Sequence, residues 1–146
     1  MSDTILPEEF QRLKFAEFYA NRDEKLYFEV PVFCRSVDVV KYNLLDNSIT
    51  AIEFKIRDWK KALKQVLNVS MCFDYLAICI PKPKTEKGLK NIIDTCENIG
   101  VGIYFFDEIA HIFDHYKTEQ KTSNIWERQR EQVYKYLGGE AAWTKH

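Results

Sequence analysis

No apolar run in the 146-residue sequence approaches the ~20 residues that carry a helix across a bilayer, so no membrane-spanning helix is expected. The start, Met1-Ser2-Asp3-Thr4 leading to Pro7-Glu8-Glu9, is polar and does not read as a secretory leader. No CxxC pair occurs. The four cysteines, Cys34, Cys72, Cys79 and Cys96, are widely separated and sit in apolar runs. That argues against a zinc cluster or a disulfide framework and for buried thiols in a reducing cytoplasm. There is no excess of either charge: the net value is −1, which weighs against a broad, non-specific nucleic-acid surface. Internal repeats and low-complexity segments are also absent.

What is present fits one globular domain with a real core, at 46% hydrophobic and 29% charged residues. The basic residues are clustered. Lys55, Arg57, Lys60, Lys61 and Lys64 form one group and Lys82, Lys84, Lys87 and Lys90 another, while acids dominate around Asp107, Glu108 and Asp114. Local basic stripes on a neutral chain suit an anionic partner at one face, and solvated helix faces account for them equally well.

The element order follows from pattern and punctuation. Pro7 with Glu8 and Glu9 opens a helix that runs to about Arg22. A first strand is expected over about Leu26 to Tyr42, bent near Pro31, and a second over Ile49 to Arg57. Asp58 caps a helix in which Trp59, Ala62, Leu63, Val66 and Leu67 recur at helical spacing. Tyr75 to Ile80 reads as a central strand, Thr85 to Gly100 as a helix with a glycine stop, and Val101 to Phe106 as a further strand. Two more helices are expected near Glu108–Tyr116 and Asn124–Leu137, forming a C-terminal helical extension over about 107–146 whose end frays. Alternating strands and helices imply right-handed parallel crossovers, and the first two strands an antiparallel hairpin. The expectation is an α/β domain, a mixed β-sheet flanked by helices on both faces.

The chemistry concentrates in Asp38 and Glu53-Phe54-Lys55. A turn centred between Asp46 and Asn47 sets Asp38 opposite Lys55 and Glu53 opposite Val40. The polar triplet then shares one side of the sheet, and Val37 and Val39 share the other with Ile56 and Phe54. Glu53 and Lys55 lie about 6.6 Å apart along their strand. Asp38 and Glu53 become diagonal neighbours, about 7–8 Å apart. Both carboxylates then reach one divalent cation, Mg2+ or its substitute Mn2+, with the Phe54 carbonyl as a further ligand. Such a cation polarises a phosphate and acidifies an attacking water, and Lys55 orients that water or stabilises the growing charge. Asp38 lies between Val37 and Val39-Val40, where a carboxylate is costly unless paired or metal-bound.

With these residues the chain resembles the PD-(D/E)xK nuclease superfamily over about Glu29 to Ile80. Its fold is restriction-endonuclease-like: a helix, a β-hairpin plus strand, a crossover helix and a further strand. The motif matches Asp38 and Glu53-Phe54-Lys55, with Val37 in place of the family's Pro. The resemblance implies a helper role for Gln65 on the helix after the Glu-x-Lys strand. It also implies an added acid, Glu29 or Glu17, and a basic residue, Arg35, before the motif Asp. It points to a metal-dependent DNA endonuclease, and cleavage of a duplex would suit a homodimer, because two antiparallel strands need two sites. The residues do not separate DNA from RNA.

Two rivals stand beside this. One is a catalytically inactive binding or assembly module on the same fold. The other is a zinc site at His111 and His115, four apart on an expected helix. Residue 112 is Ile where a HExxH motif has Glu, so solvated histidines are the better reading. Trp126, Tyr134 and Tyr136 read as packing or dimer contacts.

Overall fold

A computed structural model of the chain describes residues 7–33 and 35–144. The first helix, α1 (Glu8–Tyr19), opens after Pro7 with Glu8 and Glu9 at its positive end. Three antiparallel strands follow: β1 (Glu24–Val32), β2 (Arg35–Asn43) and β3 (Ser48–Phe54). The helix α2 (Trp59–Leu67) starts at Asp58, whose carboxylate accepts the Lys61 N–H at 3.2 Å. It leads to β4 (Tyr75–Pro81). The helix α3 (Glu86–Ile99) is capped by the Thr85 hydroxyl and stopped by Gly100 at φ 76°, the left-handed backbone that glycine takes freely. Then come β5 (Gly102–Asp107), β6 (Ile112–Tyr116) and α4 (Glu127–Gly138).

The six strands lie in one sheet in chain order. The pairs β1·β2, β2·β3 and β5·β6 are antiparallel, and β3·β4 and β4·β5 are parallel. The expected mixed sheet is there, with a core on each face. On one side Phe15 and Ala16 of α1 pack against Leu26, Val39, Ile52, Phe54, Ala77, Tyr104 and Phe113. On the other, Ala62 and Val66 of α2, Ile92 and Cys96 of α3 and Val133 and Leu137 of α4 cover Ile49, Ala51, Ile78 and Ile103. Cys72, Cys79 and Cys96 are buried free thiols, as expected, and burial raises each of their pKa values. The expectation for Cys34 lies outside the described residues.

Several expectations need correction. The long first strand is two strands folded back on each other, with Val32 pairing Arg35 and Phe33 in the turn at φ 56°. Residues Ile112–Tyr116 form an edge strand, not a helix, so the region after 107 is not wholly helical. The physical cause is at Asp107, whose carboxylate accepts the N–H groups of Ile109 and Ala110 at 2.9 and 3.0 Å. This closes a tight turn, and His111 completes it at φ 57°. The C-terminal segment is held at Trp143, whose N–H donates to the Leu26 carbonyl at 2.8 Å.

Asp74, 2% exposed, ties α4 to the sheet. It accepts the Ile49 N–H at 2.9 Å and the Arg130 guanidinium through Nε and Nη2 at 3.1 and 2.9 Å. Asp74→Ala strands both donors, so a loss of about 3 kcal/mol is expected in urea denaturation. A loss under about 1 kcal/mol, the worth of an ordinary hydrogen bond, contradicts this role.

Candidate functional site

The β2–β3 turn lies one residue earlier than expected. The Asn43 side chain accepts the Leu45 N–H and the Asp46 side chain accepts the Ser48 N–H, both at 2.9 Å, and Asn47 sits at φ 62°. Asn43 therefore pairs with Ser48, and Val40 with Ala51 instead of Glu53. The register moves by two residues, which keeps the side-chain parity. It also brings Asp38 opposite Glu53 instead of Lys55.

At that point the regular ladder stops. Its last pair is Val39 with Ile52. Beyond it the carboxylates take over the backbone's role. Asp38 Oδ2 accepts the Phe54 N–H at 2.8 Å, and Glu53 Oε2 accepts the Asp38 N–H at 3.2 Å. The β1–β2 ladder is also broken here. Phe28 pairs with Val39 and Val30 with Val37, but Glu29 and Asp38 between them do not pair, and Glu29 has φ 52°. The strands change face across this irregularity. Phe28 and Val39 pack on the α1 side, and Val30 and Val37 on the other. The expectation that Val37 and Val39 share a face is thus corrected.

The two acids sit in contrasting company. Glu53 is 3% exposed. Burial first, and then the Asp38 charge, push its pKa up to about 7, against the opposing pull of the Asp38 N–H, Arg35 and Lys55. Arg35 Nη2 lies 3.5 Å from Glu53 Oε1. Burial also raises the Asp38 pKa, helped by Glu29 and Glu8 and opposed by the Phe54 N–H and Arg12. Arg12 Nη1 lies 3.9 Å from Asp38 Oδ1 and is bonded to Glu29. Burial works against the Glu29 charge, but the Ser36 hydroxyl at 2.6 Å and Arg12 outweigh it and lower the pKa.

Other expected residues fall at different distances from this centre. Lys55 follows β3 directly, its N–H bonded to the Cys79 carbonyl at 3.1 Å, and its charge is felt by Glu53. Glu17 is exposed and paired with Lys14 at 3.5 Å, outside the cluster. The α1 acid whose charge reaches Asp38 is Glu8, one turn before Arg12. Both were missed in the sequence, where Glu8 reads only as a helix-start residue and nothing singles out Arg12. Their four-residue spacing is the signal that puts them on one helix face. Gln65 lies among Asp58, Lys60, Lys61, Lys64 and Asn68, and its buried Oε1 has no hydrogen-bond partner among the described residues. It is on the basic face of α2, with no bond to the acid pair.

The two basic groups converge. The parallel register sets Phe54 beside Cys79, so the segments after β3 and β4 leave the sheet side by side. Among the described residues, Lys55, Arg57, Lys61, Lys64, Lys84 and Lys87 make no ion pair, whereas Lys82 and Lys90 are paired with Asp114 and Asp94. The histidines do not form the considered zinc pair. His111 is in the β5–β6 turn, and His115 on β6 stacks on Tyr104 and bonds Glu119 at 2.7 Å. Among the described residues, no group of three or more His, Cys, Asp or Glu side chains is arranged to hold a metal. Tyr134 packs on Tyr42 and donates to the Asn47 carbonyl, so it serves packing. No described helix is long and apolar enough to cross a membrane.

No protein-family model matches the chain, and no curated protein sequence matches it. Among solved structures, a protein of unknown function from Silicibacter pomeroyi is similar, with a TM-score of 0.67 at 15% identity. The similarity spans 94% of this chain and 87% of that one, and it is a likeness of fold alone.

The raised Glu53 pKa has a stability consequence. Between about 4.5 and about 7 the folded state keeps a proton that the unfolded chain has released, so stability falls as pH rises through that window. In metal-free buffer, Glu53→Gln should flatten the slope of melting temperature against pH there. An unchanged slope contradicts the burial-driven shift.

Proposed function

We propose that the chain is a metal-dependent nuclease that hydrolyses phosphodiester bonds in DNA, built on a restriction-endonuclease-like core. The single observation that carries this is the meeting of Asp38 and Glu53 in the opening between β2 and β3, with Lys55 two residues beyond Glu53. The order α1-β1-β2-β3-α2-β4 also supports it, being the order that resemblance to the PD-(D/E)xK superfamily implies.

The donor set fits Mg2+. Asp38 Oδ1 and Glu53 Oε1 are hard oxygens without a hydrogen bond among the described residues. Mg2+ sites commonly use only one or two protein carboxylates, with water and phosphate completing the shell, so a third acid is not required. Mg2+, with Mn2+ as a substitute, supplies Lewis-acid polarisation of the phosphate and a more acidic bound water. Asp38 and Glu53 would hold that ion, and Glu53 would have to be ionised to do so. The backbone N–H groups of Phe54 and Asp38 fix both carboxylates in place. Lys55, free of any ion pair among the described residues, meets the negative charge that grows on the phosphate. The cations Arg57, Lys61 and Lys64 draw the polyanion to this edge.

A second reading has one observation in its favour. Arg12 and Arg35 already sit beside the two acids, so the cluster can serve as a structural ion-pair network in an inactive binding module. Plasmid nicking separates the two. With Mg2+ or Mn2+, wild type nicks, and Asp38→Ala and Lys55→Ala each lose at least about 100-fold while keeping a native circular-dichroism spectrum. Equal cutting by the variants overturns the site. DNA binding without cutting in the wild type supports the module.

A further inference from the structure

The ends of β3 and β4 and the starts of α2 and α3 enclose a pocket of about 290 Å3. Its floor is apolar, with Ile80 and Ile92 each only 4% exposed. Trp59 and Pro83 add flat, rigid walls. Its rim carries Lys55 and Arg57, neither paired with a carboxylate among the described residues, Asn91 of α3, and Asp58, whose carboxylate is engaged in capping α2. The Asn91 side chain is exposed and makes no hydrogen bond among the described residues.

These groups define a ligand. One end must be anionic to meet two unpaired cations. The body must be flat and apolar enough to leave water for Trp59, Pro83 and the isoleucines. Its edge must offer hydrogen-bonding groups to a side-chain amide, which donates and accepts. A nucleobase on its phosphate has all three properties, and base-on-aromatic stacking tolerates any base. The base and the phosphate are linked through one residue, Lys55, which belongs both to this rim and to the acid cluster. A base held in a continuous duplex is covered on both faces by its neighbours and has its edge occupied by its pairing partner. It reaches such a pocket only when unpaired.

We propose that this pocket receives the unpaired base of the nucleotide adjoining the phosphate at Lys55, so that the chain acts on single strands, flaps or frayed ends in preference to continuous duplex. This rests on the nuclease reading for its biological meaning, but the pocket is tested without any cutting. Fluorescence anisotropy in EDTA compares a short labelled DNA strand, the same strand with abasic residues replacing its bases, and the blunt duplex.

Wild type should bind the intact strand at least about tenfold more tightly than either alternative. Asn91→Trp, at an exposed helix position that leaves the core alone, fills the mouth of the pocket. It should cost about tenfold on the intact strand and leave the abasic strand unchanged. Trp59→Leu, which keeps an apolar wall without a stacking face, should give a loss of the same sign. Equal affinity for strand and duplex overturns the inference, as does an Asn91→Trp variant that binds the strand like wild type. Full displacement of the strand by an equal concentration of a free deoxynucleoside monophosphate overturns the assignment to a polymer. The two readings fail separately. Nicking lost in Asp38→Ala with Asn91→Trp inert removes the pocket and keeps the nuclease. Base-dependent binding without cutting under any divalent cation does the reverse.

Discussion

The replacement of backbone ladder bonds by two carboxylates, at the place where β2 and β3 part, is the constraint on which the site depends. A strand that leaves its neighbour strands N–H groups, and buried N–H groups need partners. Here the Asp38 carboxylate takes the Phe54 N–H and the Glu53 carboxylate takes the Asp38 N–H. The sheet is thus satisfied by the same groups that face each other across the gap. Burial among apolar strands raises the proton affinity of both acids, and the Asp38 charge raises that of Glu53 further. Arg12 from α1 and Arg35 from the start of β2 answer part of this charge. The arrangement is polar by necessity among strand positions whose other buried residues, Thr50 apart, are apolar.

The neighbourhood extends that logic outward. Because β3 and β4 are parallel and end together, their following segments form one surface carrying cations that have no acidic partners among the described residues. An overall charge near zero therefore conceals a locally basic edge. The acid pair, basic face and apolar pocket all adjoin Lys55, a residue that ends a strand and begins a connection. Such positions combine a rigid anchor with access to solvent, which is why chemistry collects there.

Much of this was legible in the residues alone. The helix capped by Asp58, the helix beginning about Thr85 with its Gly100 stop, and the buried run at Tyr75 to Ile80 were visible because caps, glycine stops and continuous apolar runs are local signals. The approach of Asp38 to Glu53 was legible because a two-residue error in register leaves them neighbours across the hairpin, whereas Lys55 lies just past the end of β3. The hairpin register itself was not, since the Asn43 and Asp46 side chains decide the turn through bonds that composition does not reveal. The face change at Glu29 was hidden for a similar reason: a left-handed backbone at a glutamate leaves no mark in the sequence. Ile112–Tyr116 was misread because a strand only five residues long leaves a weak alternation, and the turn bonds at Asp107 that precede it are not visible in composition. Glu8 and Arg12 were hidden because nothing local tells which helix face a distant strand will meet.

The order of strands in the sheet repeats their order along the chain, without exception. Each pairing therefore closes a modest loop, and none waits for a remote segment to arrive. Loop closure of this kind carries a small entropic penalty, and short-range topologies fold quickly. The antiparallel meander 24–54 holds both acids, with α1 supplying Arg12 and α2 and α4 covering its other side. The acid cluster is thus encoded within the first half of the chain, while β5 and β6 complete the sheet and α4 packs over it.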